Sequence, residues 1–198
     1  MSIVEDKTTQ HVDGRLNRST RTRAAIVEAM VALIGDGNMS PTSEDVALRA
    51  KVGLRTVFRH FEDMETLFQE MDQLIKARVL PEFDLEPLTG DLEQRARVLI
   101  SRRSHIFTTV HPFMSSTIAR KWRSEYLRRS HEEFTALQRT FLFDNLPELK
   151  ELSTPMQHAA DQVTSYESWS RMHDVQKLRV EDIIEAQLVG VLALIRRA

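Results

Sequence analysis

The chain has 198 residues, 41% of them hydrophobic and 28% charged, with a formal net charge of −2 and no cysteine. That length and mix can bury a sizeable core and build one or two globular domains. They exclude a disulfide scaffold and a thiolate metal site, and no apolar run approaches the about 18 residues of a membrane span.

Residues 1–17 lack apolar periodicity and read as a flexible arm. The start, MSIVEDKTTQHVDGR, has neither the basic head nor the apolar core of a signal peptide, so a cytoplasmic location is expected. Ser19 or Thr20 can cap a helix whose apolar positions Ile26, Met30, Leu33 and Ile34 recur at three- and four-residue steps. Gly35, Asp36, Gly37 and Asn38 end it. Thr42 precedes SEDVALRA, and with Asp45 three residues on it predicts a short-armed capping box and a helix over 43–50. A turn at Lys51–Gly53 leads to a short helix over 54–60, and a longer one follows from Asp63 with Leu67, Met71, Leu74, Ile75 and Val79 on one side.

"PEFDLEPLTGD" (81–91) reads as a linker. Beyond it every segment has helical period. Leu92, Ala96, Leu99, Ile106 and Val110 form one stripe, which His111–Pro112 breaks or kinks. Trp122, Tyr126, Phe134, Leu137 and Phe141 form another. Thr154–Pro155 opens a stretch carrying Met156, Ala160, Val163, Trp169 and Met172. Ile184, Leu188, Val191 and Ile195 close the chain. No alternating strand pattern occurs, so the fold class is all-α.

The stretch RAKVGLRTVFRHFED (49–63) mixes phenylalanines with cations. Helix, tight turn and basic second helix is the grammar of a helix-turn-helix. Val46, Ala50, Val52 and Val57 form an apolar seam, Phe61 anchors the end, and the phenylalanines bury one side. Leu54, Arg55, Thr56, Arg59 and His60 face outward, where an arginine fork fits guanine and a leucine fits a thymine methyl. Charge is unevenly spread. From Arg15 to Phe61 there are eight basic and four acidic residues, a net of +4, whereas residues 62–198 sum to −4. The residues alone leave two readings open: a solvated, mildly basic hairpin, or a head that meets a polyanion.

Residues 26–71 further resemble the DNA-binding head of the TetR family of one-component transcriptional regulators. The matches are Gly37, Thr42, Val46–Ala47, Ala50, Val52, Thr56, Phe58, His60–Phe61 and Leu67, without gaps. The chain departs from the pattern at Lys51, where the family has Gly; at Gly53, where it often has a capping Ser; at Phe58, where a Tyr hydroxyl meets phosphate; and at Met64, where a Lys is common. The resemblance implies an N-terminal three-helix DNA-binding domain over 18–63 and a helical ligand-binding and dimerisation domain over 64–198. It implies duplex DNA, a small-molecule ligand and a second copy of the chain as partners, with no cofactor, no membrane and no enzymatic activity.

On that reading Arg55, Thr56 and Leu54 read bases, and Thr42, Ser43, Lys51, Arg59 and His60 hold phosphates. Arg15, Arg18 and Arg21 of the arm add non-specific contacts. His105, Trp122, Tyr126, Phe134, Phe141 and Trp169 are candidates for a ligand pocket, although aromatics at helical spacing are more often plain core. Met156, Val163, Met172, Ile184, Leu188, Val191 and Ile195 offer more apolar surface than two terminal helices can bury alone, which predicts an isologous two-fold interface. The function expected is a repressor released from its operator by a small molecule. Two alternatives stay open: an activator or corepressor-dependent regulator of the same fold, or a helical small-molecule binder with a vestigial head. No phosphate loop, nucleophile elbow or zinc-helix motif is present, since HEEFT (131–135) lacks a second histidine.

Overall fold

A computed structural model describes residues 7–83 and 88–197 of the chain. Among these residues there are nine α-helices and no strand, the class that helical periodicity predicts. The chain divides into two compact units, Met1–Leu74 and Ile75–Ala198.

The first unit holds α1 (Lys7–Gly35), α2 (Ser43–Ala50), α3 (Leu54–His60) and the beginning of α4 (Met64–Val79). Helix α1 begins inside the stretch expected to be an arm, so Ser19 and Thr20 lie within the helix and do not cap it. Residues 1–6 and the Arg15 side chain lie outside the described residues. After α1 the chain turns through Gly37 at φ 95°, a conformation that costs glycine nothing. Ile26, Met30 and Ile34 of α1, Val46 and Ala47 of α2, Val57 of α3, Phe61, and Leu67, Phe68 and Met71 of α4 are all buried. Each large aliphatic or aromatic side chain so buried stabilises by about 1.5–3 kcal/mol. Arg23 of α1 joins this core from its rim. Its Nε donates to the Glu70 carboxylate at 3.0 Å, Nη1 donates to the His60 carbonyl, and the guanidinium lies 4.1 Å over the Phe61 ring.

The second unit holds α5 (Leu92–Arg120), α6 (Glu125–Asn145), α7 (Thr154–Val163), α8 (Tyr166–Ser170) and α9 (Val180–Arg196). The start of α5 was hidden in the predicted linker: Asp91 accepts from the Gln94 N–H at 2.9 Å while the Gln94 side chain accepts from the Asp91 N–H, a full capping box. Residues 84–87 of that linker lie outside the described residues. Pro112 does not break α5, which continues to Arg120. The stretch after Thr154 is interrupted: α7 ends at Thr164, α8 follows, and Arg171–Val175 form a π-helical turn.

Two apolar clusters fill this unit. One joins Leu99 and Ile100 of α5, Phe141 and Leu142 of α6, Ala160 of α7 and Leu188, Val191 and Leu192 of α9. The other joins Ile106, Phe107 and Val110 of α5, Tyr166 and Trp169 of α8, and Ile183 of α9. Between α5, α6 and α7 lies Arg103, which is fully buried. Its guanidinium donates to the Gln138 carbonyl and the Thr164 carbonyl, each at 2.8 Å, and burial pushes its pKa down to about 10. Gly190 lets α9 approach α7 closely, because a Cβ there would stand 2.7 Å from Cγ1 of Val163.

Candidate nucleic-acid interface

Helix α2 is fixed at its start by local chemistry. The Thr42 hydroxyl accepts from the Asp45 N–H at 3.2 Å and donates to the Asp45 carboxylate at 2.9 Å. The Thr42 N–H donates to the same carboxylate at 2.9 Å. These bonds hold the Asp45 carboxyl below its usual range, the backbone bond of Thr42 foremost. The capping box read from the sequence is therefore present, and it occupies both protons of Thr42 that a phosphate oxygen would need. Ser43, half-buried, hydrogen-bonds to the Glu44 carboxylate at 3.1 Å.

The turn is closed by Lys51 in the left-handed region, at φ 56° and ψ 41°, with its N–H bonded to the end of α2. Gly53 then starts α3 without a side-chain cap, and the Phe61 N–H closes that helix on the Val57 carbonyl at 2.9 Å. Val57 and Phe61 face inward. Leu54, Arg55, Phe58 and Arg59 face outward, and Thr56 and His60 are half-buried. The expectation that both phenylalanines bury one side is corrected here. Phe58 is 48% exposed on the outer face of α3, in line with Arg55 and Arg59, because it stands three residues from the first and next to the second. Its place opposite a family tyrosine was the signal that it points out.

The basic residues of the head fall into two groups. Arg23 is bound to Glu70 and the His60 carbonyl, and Arg49 pairs with Asp36 at 2.8 Å. Among the described residues, Arg55 and Arg59 are exposed and take part in no ion pair, and Lys51, Arg18 and Arg21 are exposed as well. His60 is held below its ordinary pKa, first by burial and then by Arg59 and Arg23, so near neutral pH it adds little positive charge. The outcome is a short helix with two unpaired guanidiniums, a leucine and a phenyl ring on one surface, flanked by a lysine. That combination suits a ligand carrying both anions and apolar edges.

The residues expected to line a pocket do not come together. Trp122 is 71% exposed in the turn after α5, with its Nε1 donating to the Ala119 carbonyl at 3.0 Å and Arg123 stacked on its ring. His105 is exposed, on the side of α5 opposite the buried Ile106 and Phe107. Trp169 is core: it is fully buried, and its Nε1 donates to Ser104 Oγ at 2.8 Å. Phe134 and Phe141 meet edge-on at Phe83, at 6.2 and 5.2 Å, while half-buried Tyr126 lies near Lys76.

Of the expected dimer residues, Leu188 is 3% exposed and Val191 is fully buried in their own chain, while Met156, Val163, Met172, Ile184 and Ile195 are half-buried. Met156, Ile184 and Ile195 pack on the first cluster. Met172 packs on the second cluster, and Val163 meets Gly190. The outward side of α9 is formed instead by Ala186, Val189 and Ala193, all exposed.

Comparison with known proteins bears on this head directly. Residues 26–71 match the family model described as bacterial regulatory proteins, tetR family. No curated protein sequence matches the chain. Among solved structures, a transcriptional regulator from Rhodococcus sp. Rha1 is similar over 91% of this chain and 97% of its own, with TM-score 0.66 and 18% identity. A second Rhodococcus sp. protein, described as a TetR-family transcriptional regulator, is similar over 88% of this chain and 99% of its own, with TM-score 0.64 and 18% identity. Salmonella enterica GusR is similar over 89% and 96%, with TM-score 0.61 and 14% identity. These likenesses show a shared fold along nearly the whole chain, and the family match falls on the helices just described. The head, residues 26–71, thus matches the tetR family of bacterial regulatory proteins, on a fold shared along nearly the whole chain with the regulators just named.

Proposed function

We propose that this chain is a homodimeric, cytoplasmic DNA-binding repressor that a small molecule releases from its operator. The observation that carries the reading is the outer face of α3, where Arg55 and Arg59 stand exposed and unpaired beside Leu54 and Phe58. Base reading falls to Arg55, Thr56 and Leu54, with Phe58 added as an apolar contact. Phosphate contacts fall to Arg59, Lys51 and Ser43, with Arg18 and Arg21 behind them. Thr42 serves chiefly as the cap that aims α2, and His60 contributes as a neutral donor. The second copy meets the outward side of α9 around Val189. No enzymatic step is assigned to any residue.

The test is binding to duplexes from the chain's own upstream region and to random duplexes, across several salt concentrations. Arg55→Ala is expected to cost about 1–3 kcal/mol on the specific site and to relax its base preference. Arg59→Ala is expected to weaken binding to every duplex and to lower the salt slope by about one. A wild-type chain that binds no duplex even at low salt removes the reading. Equal losses and equal slopes for the two variants remove the division of labour. Adding candidate small molecules to the bound complex then separates release from strengthening, and so a repressor from a corepressor-dependent regulator.

A further inference from the structure

We propose that His111, His173 and Asp174 form a binding site for one divalent transition-metal ion of the zinc class. Their nitrogen and oxygen donor atoms lie within 4.8 Å of one another. Two of the spacings are already those of a coordination shell: His111 Nε2 is 3.1 Å from Asp174 Oδ1, and His173 Nδ1 is 2.8 Å from the same oxygen. Donors around a tetrahedral zinc stand about 3.4 Å apart, so small side-chain rotations close the group. Two imidazoles and one carboxylate suit zinc, nickel, copper or iron and disfavour magnesium and calcium, which prefer oxygen. All three side chains are partly open to solvent, so water can complete the shell.

The backbone supports the arrangement. His173 and Asp174 are neighbours in sequence, and on a regular α-helix neighbours point about 100° apart. Here both stand in Arg171–Val175, a π-helical turn closed by the Gln176 N–H on the Arg171 carbonyl at 3.2 Å, and their side chains meet. Such turns are rare and recur at functional sites.

The surrounding hydrogen bonds prepare His111 as a ligand. The buried Tyr166 hydroxyl lies 3.0 Å from His111 Nδ1, 3.4 Å from the His111 carbonyl and 3.5 Å from Ser115 Oγ. Without a cation, His111 Nε2–H can donate to the Asp174 carboxylate at 3.1 Å. With one, the proton sits on Nδ1, where the Tyr166 oxygen accepts it, and the Nε2 lone pair faces the ion. This is the tautomer a metal selects, with the far ring nitrogen held by an outer partner. An ion here would clamp α5 to the segment that leads into α9. The site stands independently of the DNA-binding reading.

The test uses the full chain without a histidine tag, with zinc chloride added in competition with a chromophoric chelator. Trp169 stacks on the His173 ring at 4.8 Å, so its fluorescence in a Trp122→Phe background reports the site directly. One equivalent of zinc per chain is expected, with a change in Trp169 emission. His173→Ala and Asp174→Asn alter partly exposed side chains and should leave the circular-dichroism melt near wild type. Each is expected to weaken zinc at least about tenfold, and Tyr166→Phe about 10–100-fold through the outer hydrogen bond. A wild-type chain that takes up no zinc overturns the proposal. So does a His173→Ala/Asp174→Asn double variant that retains wild-type affinity, because the three residues are then only a hydrogen-bonded cluster.

Discussion

Lys51 occupies a backbone position that favours glycine. At φ 56° an L side chain costs about 1–2 kcal/mol, and a glycine there would lose about 0.5–1 kcal/mol of unfolded-state entropy in exchange. The first effect is the larger, so Lys51→Gly is expected to stabilise the chain by up to about 1 kcal/mol, read as a higher urea midpoint at unchanged slope. The same variant removes a cation beside α3, and its DNA affinity should fall while its stability rises. A Lys51→Gly chain no more stable than wild type shows that the strain is absent. Functional positions commonly break a local backbone rule in this way, and the opposite signs of the two readouts separate the roles.

At the scale of the element, α9 shows how one helix presents two apolar sides of different use. Leu188→Arg places a charge among Leu99, Phe141 and Leu192 and is expected to unfold the chain, since an unpaired buried charge costs several kcal/mol. Val189 is 68% exposed, so Val189→Arg should leave the melt intact and, if α9 meets a second copy, yield monomers in light scattering. A Val189→Arg chain that stays dimeric moves the interface off this face. The sequence did not separate these neighbours, because period 3.6 marks a helix as apolar on one side without saying what covers it. The same gap explains the aromatic candidates. Trp122 belongs to a turn and Trp169 to the core, and spacing alone joins them. By contrast, the limits of α2 and α3 were legible to the residue, because the Thr42–Asp45 cap and the Lys51–Gly53 turn are written in a few adjacent side chains. The Asp91–Gln94 box was equally local, but two prolines and a glycine nearby masked it.

For the whole molecule, pH is the simplest probe of how these units hold charge. His60 and His131 lie in different units, and burial is the first cause that lowers both from an ordinary 6.5. As pH falls through that value, the unfolded chain takes up these protons before the folded one does. Stability is therefore full above the unfolded pKa and is lost as pH falls through the folded values. Asp45, Asp63 and Glu148, all lowered by hydrogen bonds, add a further loss in the carboxylate range. The thermal midpoint should drop between about pH 7.5 and 5.5, and His131→Gln should make the drop smaller. A midpoint that is flat or rises over that range contradicts the assignment. The division of the chain has a consequence for descent. The boundary falls between Leu74 and Ile75, inside the 16-residue α4, and not in a loop. Recombination that trades one head for another at this boundary must then rejoin a helix in mid-run, where each backbone N–H bonds four residues back, and not a loop that tolerates added or lost residues. Heads in this lineage are therefore expected to diversify by substitution more readily than by splicing.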